Sequence, residues 1–230
     1  MVTTKRIICL ANSRKLSGRC VAGKELKGGA WIRPVSGRET EEVSEYERQY
    51  EDGSDPKVLD IVDVPLLRPT PRTFQSENWL LDPETYWEKV GRATLSDVNP
   101  FVGDPSALWT NDSSSSSGEN DRVKLAAANR MPRSLFLLRV SGLALNVFAP
   151  GEAFGNRKRR VQGEFSHRNV GYKLWVTDPI VEREYLSKSD GSYRIGQCFL
   201  TVSLGEAYNG YCYKLIAAVI TRPAAGGSKS

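Results

Sequence analysis

Apolar residues along the chain fall in short runs separated by glycine, proline and polar turns, the pattern of a β-rich protein. In the first half, residues 5–10 (Lys-Arg-Ile-Ile-Cys-Leu), 19–22 and 30–35 predict three strands. Residues 58–67 alternate around Leu59 and Ile61 and predict a half-buried strand that Pro65 limits or places at an edge. The acidic stretch 39–50 lacks Gly and Pro and is the best helix candidate of this half. Residues 83–90, carrying Tyr86 and Trp87 and stopped by Gly91, predict a second, shorter helix.

The second half is more strongly patterned. Residues 134–148 predict one long strand or a pair bent at Gly142, and residues 171–176 a strand ended by Thr177-Asp178-Pro179. Residues 198–204 predict a further strand, and the apolar run 211–221 a central one. Strands with regular turns and few helix signals argue for a mostly β fold, two small barrels or sandwiches in tandem with short helices, and against βαβ units. The expected organisation is a first β domain over 1–110, a serine-rich linker or exposed loop over 111–121 (Asn-Asp-Ser-Ser-Ser-Ser-Ser-Gly-Glu-Asn-Asp), a second β domain over 122–223, and a frayed tail over 224–230.

Composition narrows the class of protein. The 230 residues are 40% hydrophobic and 26% charged, ordinary values for a globular chain. With no run of about 18 apolar residues, a membrane span is excluded on length. The apolar run 7–11 is shorter than the roughly 7–15 residues of a signal peptide, so the expected compartment is the cytoplasm. Cys9, Cys20, Cys198 and Cys212 are scattered, and His167 is the one histidine, so neither a zinc site nor any cofactor is expected. Cys9, Cys198 and Cys212 lie in apolar runs and read as small buried hydrophobes. A nucleophile set of Cys9 or Cys198 with His167 and Asp178 has no local motif behind it, and the chain is expected to be non-enzymatic.

Charge changes the picture more than composition does. The net charge of +5 is unevenly spread. Residues 1–38 hold nine Lys and Arg against one acidic residue, residues 39–64 hold ten acidic against two basic, and residues 121–230 hold 17 basic against eight acidic. Two basic blocks around an acidic one suit a localised polyanion-binding surface, or cations that merely solvate the fold.

Three constellations stand out. On a strand, Trp31 and Arg33 share one face, a ring and a cation suited to stacking a base and holding its phosphate; the alternative is a core tryptophan with its arginine at the rim. Arg157, Lys158, Arg159 and Arg160 repel one another unless exposed, and they lead into Phe165, His167, Arg168 and Tyr172, where a hairpin could display rings beside cations. A solvated loop is the competing reading. Tyr208, Tyr211 and Tyr213 surround Asn209-Gly210 and would line a pocket or cover a barrel mouth.

Several segments together carry a resemblance: residues 5–15 (Lys-Arg-Ile-Ile-Cys-Leu-Ala-Asn-Ser-Arg-Lys), 31–36 (Trp-Ile-Arg-Pro-Val-Ser), 171–179 (Gly-Tyr-Lys-Leu-Trp-Val-Thr-Asp-Pro), 203–206 and 210–217 (Gly-Tyr-Cys-Tyr-Lys-Leu-Ile-Ala). Residues 75–79 and 107–109 are also similar. The chain resembles the prokaryotic dual OB domain family. The resemblance implies two five-stranded barrels, nucleic-acid binding, and association with bacterial conflict or defence systems, and it carries no catalytic residue over. The expected contacts to DNA or RNA are Arg14, Lys15, Trp31 and Arg33 in the first domain and Arg157, Arg159, Arg160, His167 and Arg168 in the second. A protein-interaction subunit whose basic patches meet an acidic partner is the other reading.

Overall fold

The computed structural model describes residues 1–221; the tail expected over 224–230 lies outside the described residues. In the first half, strands β1 (Thr3–Lys15), β2 (Gly18–Glu25), β3 (Trp31–Val35), β4 (Asp60–Pro69) and β5 (Asn78–Leu81) pair in the order β1-β2-β3-β5-β4, and β4 returns to β1. All pairs are antiparallel except β3 with β5. A sixth strand, β6 (Glu88–Arg92), adds to the outer edge of β4.

The second half repeats this plan. After β7 (Arg122–Lys124) come β8 (Leu135–Phe148), β9 (Arg160–His167), β10 (Val170–Val176), β11 (Gly191–Tyr208) and β12 (Tyr211–Ile220). Their order is β8-β9-β10-β12-β11 with β11 back on β8, and again only the third and fifth strands of the barrel, β10 and β12, run parallel. The strand pattern is therefore mostly β with two closed five-stranded barrels, as the resemblance implies. The helices are short: α1 (Glu45–Arg48), α2 (Leu95–Val98), α3 (Leu125–Ala128) and α4 (Pro179–Leu186). Among the described residues no helix is long and apolar enough to cross a membrane.

Three apolar clusters explain why the runs in the sequence are unbroken. Ile7, Cys9, Val21, Ile32, Val62 and Leu66 fill the first barrel, and Val140, Leu145, Phe165, Tyr172, Leu200 and Ile216 fill the second. The third cluster lies between the barrels: Ile8, Leu10 and Ala22 meet Leu135, Leu137, Phe199, Ala218 and Ile220. β1 is thus buried on both faces, so Ile7 through Ala11 are all apolar instead of alternating. At the bulge between Cys9 and Ala11 the carbonyl of Leu10 accepts from Thr201 Oγ1 of the second barrel at 2.6 Å. The hairpin tip of β1 and β2 also crosses over, with Arg14 N–H donating to Thr177 O at 2.8 Å.

Two expected helices are corrected. Of residues 39–50 only Glu45–Arg48 is helical, one turn capped by Ser44 and Glu47. Upstream, Glu41 has φ 56° and Val43 pairs with Arg19, so the backbone is spent on the barrel edge. Residues 83–90 form a turn and the start of β6, because Trp87 (1% exposed) is core and bridges Tyr50. The serine-rich segment lies against the second barrel. Buried Asp121 gathers Ser115 N–H (2.7 Å) and Oγ (2.5 Å), Gln162 Nε2 donates to Ser117 O, and Glu119 bridges Lys173 of β10.

Candidate nucleic-acid interface

The register of β2 and β3 sets Lys24 opposite Trp31, and the parallel pairing of β3 with β5 brings Trp79 beside Pro34. Lys5 of β1 completes the arrangement. Its Nζ lies 4.7 Å from the centroid of the Trp79 ring, and Lys24 Nζ lies 4.8 Å from that of Trp31, both within cation–π range. The two half-buried indoles, these lysines and exposed Arg133 border one open cleft of about 460 Å³, floored by Ile32 and Ser76.

The cleft is positive on balance. Glu77 is taken by Arg33 beneath it, and Glu25 by Lys5 at 2.8 Å. Lys24 donates to Gly29 O at 2.7 Å, and burial, with the charge of Arg133 behind it, holds its amine below the ordinary lysine range. Cations held near flat rings are what a single strand needs: each ring accepts any base face, and the charges follow the phosphates.

A second positive ridge runs along the start of β9. The Arg160 guanidinium stacks 3.9 Å from the centroid of Trp175, which packs on Phe148. Burial and then the neighbouring charge of Arg14 lower the Arg160 pKa. Arg14 belongs to the first barrel, and it forms a two-pronged pair with Glu182 of α4 (2.8 and 3.1 Å). Arg157 and Lys158 are exposed, as is Phe154 (91%) in the loop before them. Arg159 is committed to Asp190 and to the carbonyls of Leu186 and Lys188 at the end of α4, where a helix C-terminus attracts a cation.

The structure brings some of the sequence-predicted residues together and separates others. Trp31 joins the cleft, and Arg14 meets Arg160 on the ridge. Lys15 lies at the hairpin tip and pairs with Glu206 at 2.7 Å. Arg33 is not on an open face. It is 4% exposed, paired with Glu77 at 2.9 Å and donating to Ser134 Oγ at 2.6 Å, because its side of β3 turns into the junction between the barrels. His167 and Arg168 lie seven and eight residues from Arg160, about 23 Å along the strand to His167. His167 Nε2 is bonded to Pro105 O at 2.7 Å, and Arg168 Nε to Asp104 at 3.0 Å. The hairpin rings are also inside: Phe165 and Tyr172 stack in the core with centroids 5.3 Å apart.

Lys5, Lys24, Trp79 and Arg133 escaped the sequence reading, as did Phe154 and Trp175 on the ridge. Lys24 and Trp31 flank a loop with Gly28-Gly29, a hairpin signal that would have paired them. No local signal joins residue 79 or 133 to residue 31. The acidic block is explained by packing: Asp63 holds Arg6, Glu41 holds Arg72, Glu47 holds Arg38, and Asp60 holds Lys89 and Arg92. Cys9, Cys198 and Cys212 are buried and Cys20 half-buried.

A family model described as a dual OB-containing domain matches residues 5–219. The chain has no match among curated proteins or among solved structures.

Proposed function

The chain belongs to the dual OB-containing domain family, and from that premise we propose that it is a non-enzymatic protein that binds single-stranded nucleic acid across the Trp31–Trp79 cleft. The observation that carries the reading is two half-buried indoles, each with a lysine against its ring, in one open positive cleft. Five-stranded barrels of this type commonly use the face of their second and third strands for oligonucleotides, and Lys24 and Trp31 sit there. The Arg14–Arg160 ridge, with exposed Phe154 and Arg157, is a second contact area where the hairpin tip of the first barrel meets the second. Its charges are more committed to protein carboxylates, so its share of the affinity is smaller. A cytoplasmic, accessory or sensor role in a bacterial conflict or defence system is the setting we attach to this activity; it rests on the resemblance alone.

Short labelled single strands and duplexes of DNA and RNA, titrated with the full chain across a salt series, test the proposal. With Lys5, Lys24 and Arg133 on phosphates, the logarithm of affinity should fall with the logarithm of salt at a slope of about −2 for a single strand. Trp31→Ala and Trp79→Ala should each weaken binding roughly 5- to 150-fold, the range expected for losing one stacked base. Absence of binding to any of these at low salt would overturn the proposal and favour an acidic protein partner. Full affinity in the double tryptophan variant would move the site elsewhere.

A further inference from the structure

Where the hairpin tip of β1 and β2 leans over the second barrel, the junction encloses a cavity of about 230 Å³, separate from the tryptophan cleft. Its apolar walls come from both barrels: Leu16, Pro34 and Val35 from one, Leu204 and Leu215 from the other. A space with apolar side chains from both barrels on its walls suits an aromatic ring. Polar groups supply its edges. Gln75 is 8% exposed and its Oε1 accepts from Asn78, leaving the amide N–H donors for a ring carbonyl or nitrogen. Ser13, Ser203 and Thr177 add hydroxyls.

Cations stand at the mouth and at the base. Arg14 and Lys15 border the opening, each held across the junction by a carboxylate, Glu182 and Glu206. Lys15 and Glu206 meet where Glu206 is about half exposed, so an incoming anion can replace that carboxylate at little cost. Arg33 lines the base, 4% exposed, and its Nε–H has no hydrogen-bond partner. Glu41 is the other carboxylate on the wall, and it is held from outside by Arg72 at 3.1 Å. The lining holds three cations, Arg14, Lys15 and Arg33, and two carboxylates, Glu41 and Glu206, while Glu182 and Glu77 engage Arg14 and Arg33 from outside it, so the place for a ligand's negative group is at the exchangeable Lys15–Glu206 pair.

We propose that this inter-barrel cavity is a binding site for a free nucleoside monophosphate, with the base between the walls of the two barrels and the phosphate on Arg14 and Lys15. A cavity of about 230 Å³ is of the size of a single nucleobase, so the site is matched to a mononucleotide. The ligand touches both barrels at once and ties the hairpin tip to the second barrel.

Cys20 supplies the reporter, because it lines the cavity and is half-buried, whereas Cys9, Cys198 and Cys212 are buried with thiols pushed up to about 12, 12 and 11. The full chain is treated with an aromatic disulfide reagent in the presence of each of the four ribonucleoside monophosphates, of inorganic phosphate, or of the free nucleosides. A ligand that fills the cavity shields its wall, so at saturation at least one monophosphate should slow Cys20 modification about tenfold. Calorimetry on the untreated protein should give the same affinity, weaker in Lys15→Glu, with folding of the variant checked by circular dichroism. Equal protection by inorganic phosphate would reduce the site to an anion site and overturn the proposal. So would unchanged Cys20 rates with no heat of binding for any monophosphate. Trp31→Ala/Trp79→Ala should keep the protection even where strand binding is lost, which separates this site from the cleft.

Discussion

Replacing Arg33 by methionine removes one partner of the most enclosed ion pair among the described residues. Arg33 and Glu77 side chains are 5% and 3% exposed with 2.9 Å between Nη2 and Oε1. At an effective dielectric of about 20 their attraction is about 6 kcal/mol, and the loss of hydration of each ion offsets several kcal/mol of it. The pair therefore adds little net, but a lone Glu77 carboxylate would keep most of its desolvation cost, with Ser134 Oγ and, at 3.5 Å, Ser76 Oγ as its remaining donors. Arg33→Met should lower stability by about 3–5 kcal/mol. For a chain of this size that is a fall in Tm of roughly 6–20 °C. Arg33→Met/Glu77→Leu should return to within about 1 kcal/mol of the parent, since two apolar groups replace the pair at similar volume. Urea unfolding followed by circular dichroism measures all three proteins. A loss below about 1 kcal/mol in the single variant, or a double variant as unstable as the single, would refute the reasoning. The double variant should also bind strands with an unchanged salt slope, because Arg33 is a structural cation in the first barrel and the half-buried Lys24, not Arg33, borders the cleft.

Lys214 is 1% exposed, its Nζ donates to Thr110 O at 2.5 Å, and burial lowers its pKa to about 8 despite the opposing pull of Asp121 and Asp112. A folded pKa below the unfolded value means the cost is fully present below pH 8 and is relieved as pH rises toward the unfolded lysine pKa of about 10.4. The stability of the parent relative to Lys214→Met, from urea midpoints, should therefore rise by about 3 kcal/mol across that window; buried thiols and tyrosines act on both proteins and cancel. A flat difference would show that Lys214 is not desolvated as described. Gly23→Ala should cost more than Gly163→Ala. A Cβ at Gly23 would meet the Ile8 backbone oxygen at 2.3 Å, whereas at Gly163 it meets the movable Ile216 Cδ1 at 2.3 Å. Losses of about 1–3 kcal/mol are expected, and calorimetric Tm values give the order. In the native protein Cys20 alone of the four cysteines should react quickly with a thiol reagent, and all four in denaturant, counted by intact mass.

The long apolar runs made the barrel strands legible, since Ile7–Ala11 of β1 and Ile216–Ala218 of β12 are buried on both faces, while Gly142 in β8 left one strand and a bent pair equally open. Strand β9 and the first half of β11 carry no such run. They hold Gly163 and Gly196 and many polar residues, and they are strands because neighbours supply a ladder. The acidic stretch has helical propensity, and its pairing at the barrel edge overrides it. At the candidate site the same limit applies. Trp31 was visible, but its companions sit at 5, 24, 79 and 133, joined by register and by one parallel pairing that composition does not encode. Burial of Arg33 and of the Phe165–Tyr172 stack likewise depends on what the second barrel places against them.

The apolar cluster shared by Ile8, Leu10 and Ala22 with Leu135, Leu137 and Ile220 gives the chain one indivisible seam. A half produced alone would show water a greasy strip shaped for its sibling, and it should clump or be degraded. Co-expressed halves, by contrast, have a ready-made reason to find each other, so severing the backbone in the connecting stretch should yield a reconstituted pair instead of two independent modules.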